Sequence, residues 1–433
     1  DSSLAAGDTS LVSITFNEAV TGFSNDDLTV ANGSLSPVSS SDGGISWSTT
    51  FTPAADTTAA TNVISLNMTA VTDVAGNAGS GSTNSANYSI DTLRPTASLV
   101  MADTELLAGE TSQLTITFNE AVSGLTNDDL SLLFGSLDAV ISADGGITWT
   151  ATYTPDPDTY ELNNIITLDT SGVTDAAGNT GSVSTSSNEF TVRTQALTLL
   201  VTSNLDIDDD ETTAVTLVDD EADGNGLSLR EALFWARAGD TITFDLDSST
   251  AGKQGGSISL NGTELTVNHA NLSIDADLDT DQRPDITISA NHSSRVLAIG
   301  SGLSNIDING LTLTQGSVSS GGAGIAIGIN SSLTLRNAVI ADNNETALGG
   351  GGIYGASVNL ILINSSVSGN SSTSFGGGLR IVGAASNLTL INTTVSGNTT
   401  SGAGAHGGGI QFGSTETLTL VNTTVSGNAA LGA

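Results

Sequence analysis

Hydrophobic and polar residues alternate along most of the chain in short runs, and turn-forming residues separate these runs. Leu11–Phe16 and Asn62–Leu66 are examples near the N terminus, and Leu265–Val267 and Leu311–Leu313 are examples further on. A period of two places successive side chains on opposite faces of a strand, so the pattern predicts half-buried β-strands. The predicted fold class is therefore all-β.

One segment has a helical period instead. Within residues 229–237 the apolar side chains recur at helical spacing, and Ser228 and Glu231 form the capping-box pattern that starts a helix. Gly239 is placed to end it. We predict one amphipathic α-helix here, and its apolar face must cover another part of the fold.

The first 193 residues contain two copies of one module. Residues 1–91 align with residues 103–193 at a constant offset of 102, so that Trp47 recurs as Trp149. Asp42-Gly43-Gly44 supplies the positive φ of a tight hairpin, and Trp47 is predicted to fill the centre of a sandwich. About 100 residues with about seven short strands indicate an immunoglobulin-like β-sandwich.

These modules resemble the bacterial Ig-like repeats that are strung in tandem in large adhesins. The resemblance implies an Ig-like domain over residues 1–91 and a second over residues 92–195. The second copy has an alternating run from Arg94 to Val100, whereas the first lacks an equivalent strand. We expect an earlier module before Asp1, and we interpret the sequence as a segment of a longer polypeptide.

The last third of the chain repeats one phrase four times. A Leu-x-Leu pair ends at an asparagine in each copy, a second asparagine follows six residues later, and the copies are 27, 28 and 30 residues apart. The copies are Leu333–Asn337, Leu360–Asn364, Leu388–Asn392 and Leu418–Asn422, and the second asparagines are Asn343, Asn370, Asn398 and Asn428.

A strand-rich repeat of this length predicts a β-solenoid with three strands in each coil and coils stacked about 4.8 Å apart. Equivalent asparagines would then form ladders of hydrogen-bonded amides at left-handed corners. Residues 227–244 resemble the entry segment of pectin-lyase-like β-helix surface proteins. The glycine runs and Val-x-x-Asn phrases resemble repeats of polymorphic outer-membrane adhesins, with Val in place of Phe.

The predicted architecture is therefore two Ig-like β-sandwiches followed by a right-handed parallel β-helix with an N-terminal capping α-helix. We predict that residues 196–250 form the cap. A cap is needed because the open strand edge of the first coil would otherwise be exposed to other chains. It includes the acidic runs 206–211 and 219–223. The β-helix covers residues 251–433.

The charge of the chain limits the classes of partner that it can bind. Nine basic residues against 46 acidic ones leave a net charge of -37, which argues against nucleic acid as a partner. Cysteine is absent, so no disulfide or thiol site exists, and no apolar run is long enough to span a membrane. We expect an extracellular or cell-surface location.

Acidic turn residues of the modules are the first candidate metal ligands. They are Glu18, Asp73, Asn77 and Asp91 in the first copy and Glu120, Asp175 and Asn179 in the second. Such oxygen donors suit calcium, and the resemblance implies a calcium site at the module boundary near Asp91. Side-chain-capped turns are the alternative. Arg193 replaces Asp91 in the second copy, so a matching site at the next junction is in doubt.

An acidic loop in the β-helix is the second candidate. Asp277, Asp279, Asp281 and Asp285 occupy positions 1, 3, 5 and 9 of a calcium loop, and Asp275 is adjacent. Gln282 stands where such loops have glycine, and no glutamate closes the loop. The alternative is a solvated acidic loop.

We therefore predict a calcium-dependent adhesin or structural component. Its predicted partners are cell-surface or matrix glycans or proteins, or copies of itself in a filament. The alternative is a polysaccharide-binding or polysaccharide-cleaving β-helix, which the few charged residues of the coils and the lack of paired carboxylates disfavour. A threonine array for crystalline surfaces is a third interpretation, but Asp307 and Ile361 interrupt the column of Thr334, Thr389 and Thr419.

Overall fold

The fold is given by a computed structural model, which describes residues 1–206, 217, 226–246, 256–413 and 417–432. The chain forms two compact units, Asp1–Gln195 and Ala196–Ala433. Most of the two acidic runs predicted for the cap, and the predicted boundary at residues 250 and 251, lie outside the described residues.

The first sandwich is built from twelve short strands among the described residues. They are β1 (Ser3–Leu4), β2 (Ser10–Thr15), β3 (Val20–Thr21), β4 (Leu28–Thr29), β5 (Gly33–Leu35), β6 (Ser39–Ser40), β7 (Ser46–Pro53), β8 (Thr58–Asn62), β9 (Ser65–Asn67), β10 (Thr72–Asp73), β11 (Ser82–Asn84) and β12 (Tyr88–Asp91). The main sheet has the order β2-β7-β5, and smaller sheets have the orders β1-β12-β8 and β11-β9-β4.

The second sandwich has eleven strands among the described residues: it adds one strand at its start, and isolated bridges replace β3 and β10 of the first copy. Its strands are β13 (Ala97–Met101), β14 (Glu105–Leu107), β15 (Ser112–Phe118), β16 (Leu130–Ser131), β17 (Gly135–Leu137), β18 (Ile141–Ser142), β19 (Thr148–Pro155), β20 (Tyr160–Asn164), β21 (Thr167–Asp169), β22 (Ser184–Ser186) and β23 (Phe190–Arg193). Short 3-10 helices cover Asn25–Asp27, Asn127–Asp129 and Thr170–Gly172. Strand β13 pairs antiparallel with β15, and it is the strand for which the first copy has no equivalent.

The centre of each sandwich is an aromatic pair. Phe51 meets Tyr88 at 5.2 Å between ring centroids, and Tyr153 meets Phe190 at 5.2 Å. The prediction that Trp47 fills the centre is wrong, because Trp47 is only partly buried and donates its indole N–H to Gly44 at 3.0 Å. It lies four residues before Phe51 on β7, which places it about 13 Å away, beside the hairpin.

The second unit contains one described α-helix and a long series of strands. Helix α1 is Leu229–Trp235, and the strands are β24 (Thr198–Val201), β25 (Thr241–Phe244), β26 (Ser257–Ser259), β27 (Leu265–Val267), β28 (Ser273–Asp275), β29 (Ile286–Ser289), β30 (Leu297–Ile299), β31 (Ile306–Asn309), β32 (Leu311–Thr314), β33 (Ser317–Val318), β34 (Ile325–Ile327), β35 (Ser332–Arg336), β36 (Val339–Ala341), β37 (Asn344–Glu345), β38 (Ile353–Ala356), β39 (Asn359–Ile363), β40 (Ser366–Ser368), β41 (Ser371–Ser372), β42 (Leu379–Val382), β43 (Asn387–Ile391), β44 (Thr394–Ser396), β45 (Thr399–Thr400), β46 (Ile410–Phe412), β47 (Thr417–Val421), β48 (Thr424–Ser426) and β49 (Ala429–Ala430).

These strands form parallel sheets that run along the stack of coils, as predicted. Sheet I has the order β24-β25-β28-β31-β35-β39-β43-β47, sheet J has β26-β29-β32-β36-β40-β44-β48, and sheet K has β27-β30-β34-β38-β42-β46. A fourth sheet of two-residue strands, β33-β37-β41-β45-β49, was not predicted. Leu360 lies directly between Leu333 and Leu388 in register, and all three are buried.

The first asparagines of the repeat form the predicted corner ladder. Asn337, Asn364, Asn392 and Asn422 have φ between 49° and 51°. Each amide N–H donates to the side-chain oxygen one coil nearer the N terminus, at 3.2 Å from Asn422 to Asn392 and 3.1 Å from Asn392 to Asn364. The ladder continues through Asn337 to Asn309, which donates to Asp275 at 2.8 Å.

The second asparagines form another ladder, which is buried and has the opposite polarity. Asn343 donates to Asn370, Asn370 to Asn398, and Asn398 to Asn428, each at 2.9 Å. Asn370 and Asn398 are 0% exposed, and each also donates to a backbone carbonyl. These amides bond to one another and to buried carbonyls of the preceding coil, so they hold the coils in register.

Helix α1 covers one end of the solenoid core, as predicted, but it is shorter than predicted. It ends at Trp235 because Ala236 has an extended backbone with φ -57° and ψ 145°. The predicted capping box is present, with Ser228 accepting from the Glu231 backbone N–H at 3.2 Å. Leu229, Ala232 and Leu233 are buried in the same core as the coil strands.

Candidate metal centres

Three carboxylates converge where the two sandwiches meet. Asp91 ends strand β12 of the first copy, Glu120 follows strand β15 of the second, and Asp175 begins a tight turn of the second. One carboxylate oxygen from each lies within 4.8 Å of the others. The site is therefore assembled from both modules.

Repulsion within this cluster is substantial. Two unit charges near 5 Å repel by roughly 1 to 4 kcal/mol at effective dielectric constants between water and a protein surface. The pKa of Glu120 is raised by burial first and then by the charges of Asp175 and Asp91. The carboxylate of Glu120 accepts a hydrogen bond from the Asn119 amide at 3.3 Å. A cation would offset this repulsion.

Asn179 positions the cluster. Its amide donates to the carboxylate of Asp175 at 2.7 Å and to the Asp91 carbonyl at 2.9 Å, and its oxygen accepts from the Ala6 backbone N–H at 2.6 Å. Asn179 is 3% exposed. Asn179 thus acts as a clamp between the two modules, and its role as a metal ligand stays a prediction.

The predicted ligands of the first copy do not join Asp91. Asp73 accepts from the backbone N–H and the amide of Asn77 at 2.8 and 2.6 Å, which lowers the pKa of Asp73. Glu18 is exposed. The structure thus brings Asp91 together with Glu120 and Asp175, the second-copy equivalents of Glu18 and Asp73. The same turn geometry in the first copy presents Asp73 to solvent.

The acidic loop after strand β28 brings together three of its predicted ligands. One carboxylate oxygen from each of Asp277, Asp279 and Asp285 lies within 4.8 Å of the others. Asp285 also accepts from the backbone N–H of Leu278 at 2.6 Å, which closes the loop. Gln282 adopts φ 67°, so the turn that normally uses glycine forms without it.

The other two predicted ligands lie outside this cluster of three carboxylates. Asp275 accepts from Asn309 at 2.8 Å and ends the exposed asparagine ladder. Asp281 caps its own turn by accepting from the Arg283 backbone N–H at 2.9 Å. Asn337 of the ladder donates to Asp277 at 3.3 Å, so the loop lies against the corner of the following coils.

One buried oxygen atom of the loop also suits a bound cation. Oδ1 of Asp277 is buried and has no hydrogen-bond partner in the part of the chain that the structure describes. Burial, followed by the charge of Asp285, raises the pKa of Asp277. A buried carboxylate oxygen without a donor is costly unless a cation lies beside it. Calcium, which takes six to eight oxygens, matches this set of hard donors.

Two arginines of the later coils lie on different sheets of the solenoid. Arg336 lies on sheet I and pairs with Asp307 at 3.0 Å, whereas Arg380 lies on sheet K. The column Asp307, Thr334, Ile361, Thr389 and Thr419 is in register, so the interruptions of the threonine array are confirmed.

The fold and its sites define a modular all-β protein with two Ig-like sandwiches and a capped parallel solenoid. Residues 1–90 and 91–192 each match the bacterial Ig-like domain family, and residues 279–433 match the right-handed β-helix region family. These matches confirm the predicted resemblance and the predicted fold class.

Solved structures with some likeness include the Escherichia coli adhesin FdeC and domains 4–9 of the surface layer protein SbsC. Identities are 12% and 13%, and TM-scores are 0.21 and 0.15. The alignments cover 46% and 47% of this chain, and they span 62% and 32% of the two solved chains.

A search of curated proteins gave no significant match. Neither family description names an enzymatic activity. No helix among the described residues is long and apolar enough to cross a membrane.

Proposed function

We propose that this chain is part of a bacterial cell-surface protein that acts in adhesion or as a structural stalk, and that calcium stiffens its modules. The observation that carries the proposal is the convergence of Asp91, Glu120 and Asp175 from two consecutive modules. The tandem bacterial Ig-like domains and the repetitive β-helix support a role that needs reach and rigidity.

Calcium at the junction would act as a link between modules. The segment that joins the modules already has two direct ties, since Asn179 donates to the Asp91 carbonyl and Arg94 donates to the Thr180 carbonyl at 2.7 Å. Three carboxylates without a cation oppose these ties by mutual repulsion. A bound divalent ion reverses the sign of that interaction, and it restricts hinge motion between the two sandwiches.

The test measures a distance between the two modules in the full chain. Because the chain has no cysteine, Thr52→Cys with Thr154→Cys places two spin labels at equivalent exposed positions. We expect pulsed electron spin resonance to give a narrow distance distribution in calcium and a broad one after chelation. Equal distributions in both conditions contradict the proposal.

Matched variants assign the effect to the junction. Asp175→Asn should give a broad distribution in calcium, because it removes one charge of the cluster. Asp73→Asn changes the equivalent aspartate of the first copy, which lies outside the cluster, and it should retain the narrow distribution. A loss of the calcium effect in Asp73→Asn would show that the junction cluster is not the site.

A further inference from the structure

The acidic loop of residues 275–285 lies along the exposed asparagine ladder. Three of its side chains accept hydrogen bonds from rungs of the ladder on three successive coils: Asn309 donates to Asp275 at 2.8 Å, Asn337 to Asp277 at 3.3 Å and Asn364 to Gln282 at 3.5 Å. Coils of a parallel solenoid stack about 4.8 Å apart. The loop therefore leaves its own coil and extends over the corners of the next three.

Gly310 allows the loop to lie close to the following coil. It has φ 75°, and a Cβ at this position would lie 2.4 Å from the backbone nitrogen of Asp277. The Gly310 carbonyl accepts from the backbone N–H of Asp285 at 3.1 Å. The following coil thus contacts the first and the last aspartate of the carboxylate cluster.

The side-chain amide of Asn337 joins the ladder to this cluster. An amide nitrogen carries two hydrogens, and that of Asn337 donates to Asn309 at 2.8 Å and to Oδ2 of Asp277 at 3.3 Å. Oδ1 of the same carboxylate is the buried oxygen that has no hydrogen-bond partner among the described residues. Asn337 therefore orients the carboxylate of Asp277 and leaves Oδ1 available to a cation.

We infer that calcium in the acidic loop holds these successive coils together, and that Asn337 positions the Asp277 carboxylate for the ion. The inference rests on the proposed function, since it takes calcium as the ion, and it extends the effect of calcium to the solenoid. Without an ion, repulsion among Asp277, Asp279 and Asp285 opposes closure of the loop on the ladder. A bound divalent ion reverses that interaction.

Coupling between the loop and the ladder must act in both directions. If calcium stabilises the hydrogen bonds from the ladder, then loss of a ladder amide that touches a ligand must weaken calcium binding by the same factor. Partners that hydrogen-bond to metal ligands typically contribute 10- to 100-fold to metal affinity. A loop that only packs against the ladder would show neither effect.

The experiment measures calcium binding at the loop itself, by hydrogen exchange and mass spectrometry of the full chain. The backbone N–H groups of Leu278 and Asp279 donate to Asp285 at 2.6 and 3.4 Å, so their exchange should slow when the loop closes. The calcium concentration that gives half-maximal protection reports this loop separately from the module junction. We expect that concentration to rise about tenfold in Asn337→Gly.

Asn392→Gly is the matched control. Asn392 has the same left-handed backbone as Asn337, with φ 50° and 49°, and it donates to the preceding rung, Asn364, at 3.1 Å. Within the described residues no hydrogen bond joins Asn392 to the acidic loop. Its glycine variant removes one rung of the ladder without touching the loop, so the half-maximal concentration should stay within twofold of wild type. Asn364→Gly, whose loop partner is the amide of Gln282, should lie between the two.

The reverse effect is measured in the wild type and needs no variant of the ladder. The backbone N–H of Asn337 donates to the Ile363 carbonyl at 3.0 Å, and that of Asn392 donates to the Val421 carbonyl at 2.9 Å. Calcium should slow exchange at the Asn337 corner and leave the Asn392 corner unchanged. Asp285→Asn should abolish the protection at the Asn337 corner.

Each other outcome contradicts the inference. Wild-type affinity in Asn337→Gly, an equal loss in Asn392→Gly, or calcium protection confined to the loop would show that the ladder and the ion are independent. If calcium protects no loop amide, the inference is lost, but the distance measurement between the sandwiches still decides the proposed link at the junction. A chain whose loop and ladder respond together, but whose sandwiches do not stiffen, would lose that link and retain this inference.

Discussion

Glu120 is expected to oppose folding when calcium is removed. Its folded pKa is raised by burial and by the charges of Asp175 and Asp91, so its charged form is disfavoured in the native state. Without calcium, stability should rise as the pH falls through that folded pKa. Glu120→Gln removes one charge, so we expect a higher melting temperature than wild type in EDTA at pH 7. We also expect a smaller rise on adding calcium, measured by scanning calorimetry.

The control for this prediction is Glu18→Gln, which changes the exposed equivalent of Glu120 in the first copy. It should leave the melting temperature in EDTA and the response to calcium unchanged. A lower melting temperature of Glu120→Gln in EDTA would mean that the carboxylate makes a favourable contact in the metal-free junction.

For Asp144 we predict the opposite dependence of stability on pH. Its carboxylate accepts from the backbone N–H groups of Thr148 and Ile147 and from Ser142 in the β18–β19 hairpin, and hydrogen bonding led by Thr148 lowers its pKa to about 2. A depressed folded pKa contributes stability above the unfolded value near 4, and that contribution is lost as the pH falls toward 2.

We therefore expect Asp144→Ala to melt below wild type at pH 7 and to approach it near pH 2. The measurement is the difference in melting temperature across a pH series from 7 to 2. Asp138→Ala, which changes a nearby aspartate between β17 and β18, serves as the comparison. A difference for Asp144→Ala that stays constant with pH would show that its ionised form is not what stabilises the hairpin.

At the scale of elements, the buried asparagine ladder should contribute more to the free energy of unfolding than the exposed ladder. Asn398→Ala removes the donor to the buried Val367 carbonyl and the acceptor of Asn370. Each unsatisfied buried group costs about 1 to 3 kcal/mol, so we expect a loss of about 2 to 5 kcal/mol in the free energy of unfolding. Denaturant unfolding of the solenoid transition measures it.

Asn392 of the exposed ladder is the matched comparison. Asn392→Ala places a Cβ residue at φ 50°, which costs roughly 1 to 2 kcal/mol, whereas Asn392→Gly removes that strain. We expect the glycine variant to lie near wild type and above the alanine variant. An equal loss in both would show that the amide hydrogen bonds carry the stability of the exposed corner as well.

Structural elements could be predicted where a local backbone conformation favours one residue type. The spacing of Asn337, Asn364 and Asn392 identified the corners, because asparagine tolerates the left-handed conformation that each corner needs. The position of Trp47 was predicted wrongly. The alternation of polar and apolar residues does not show where the hairpin begins, so it does not show whether Trp47 or Phe51 reaches the centre of the sandwich. The fourth sheet was not predicted because its strands have only two residues, which are too few to show an alternating pattern in the sequence.

At the scale of the whole molecule, the composition of the junction site could not be predicted from the repeat. Glu18, Asp73 and Asn77 recur as Glu120, Asp175 and Asn179, so the sequence alone groups Asp91 with the members of its own copy. The structure groups Asp91 with the second copy, because strand β12 ends at the neighbouring module. The carboxylate cluster of the acidic loop was easier to predict because its three aspartates are local in the sequence.

The two candidate sites lie in different compact units, so their contributions to stability should separate. At free calcium about 100-fold above Kd, a site that binds only the folded state adds about 2.7 kcal/mol. Calorimetry of the full chain should therefore show two transitions, each at a lower temperature in EDTA. Asp91→Asn should abolish the calcium response of the sandwich transition alone, and Asp285→Asn that of the solenoid transition alone. If Asp285→Asn leaves the solenoid response intact, the acidic loop does not hold the ion, and the orphaned oxygen of Asp277 needs another partner.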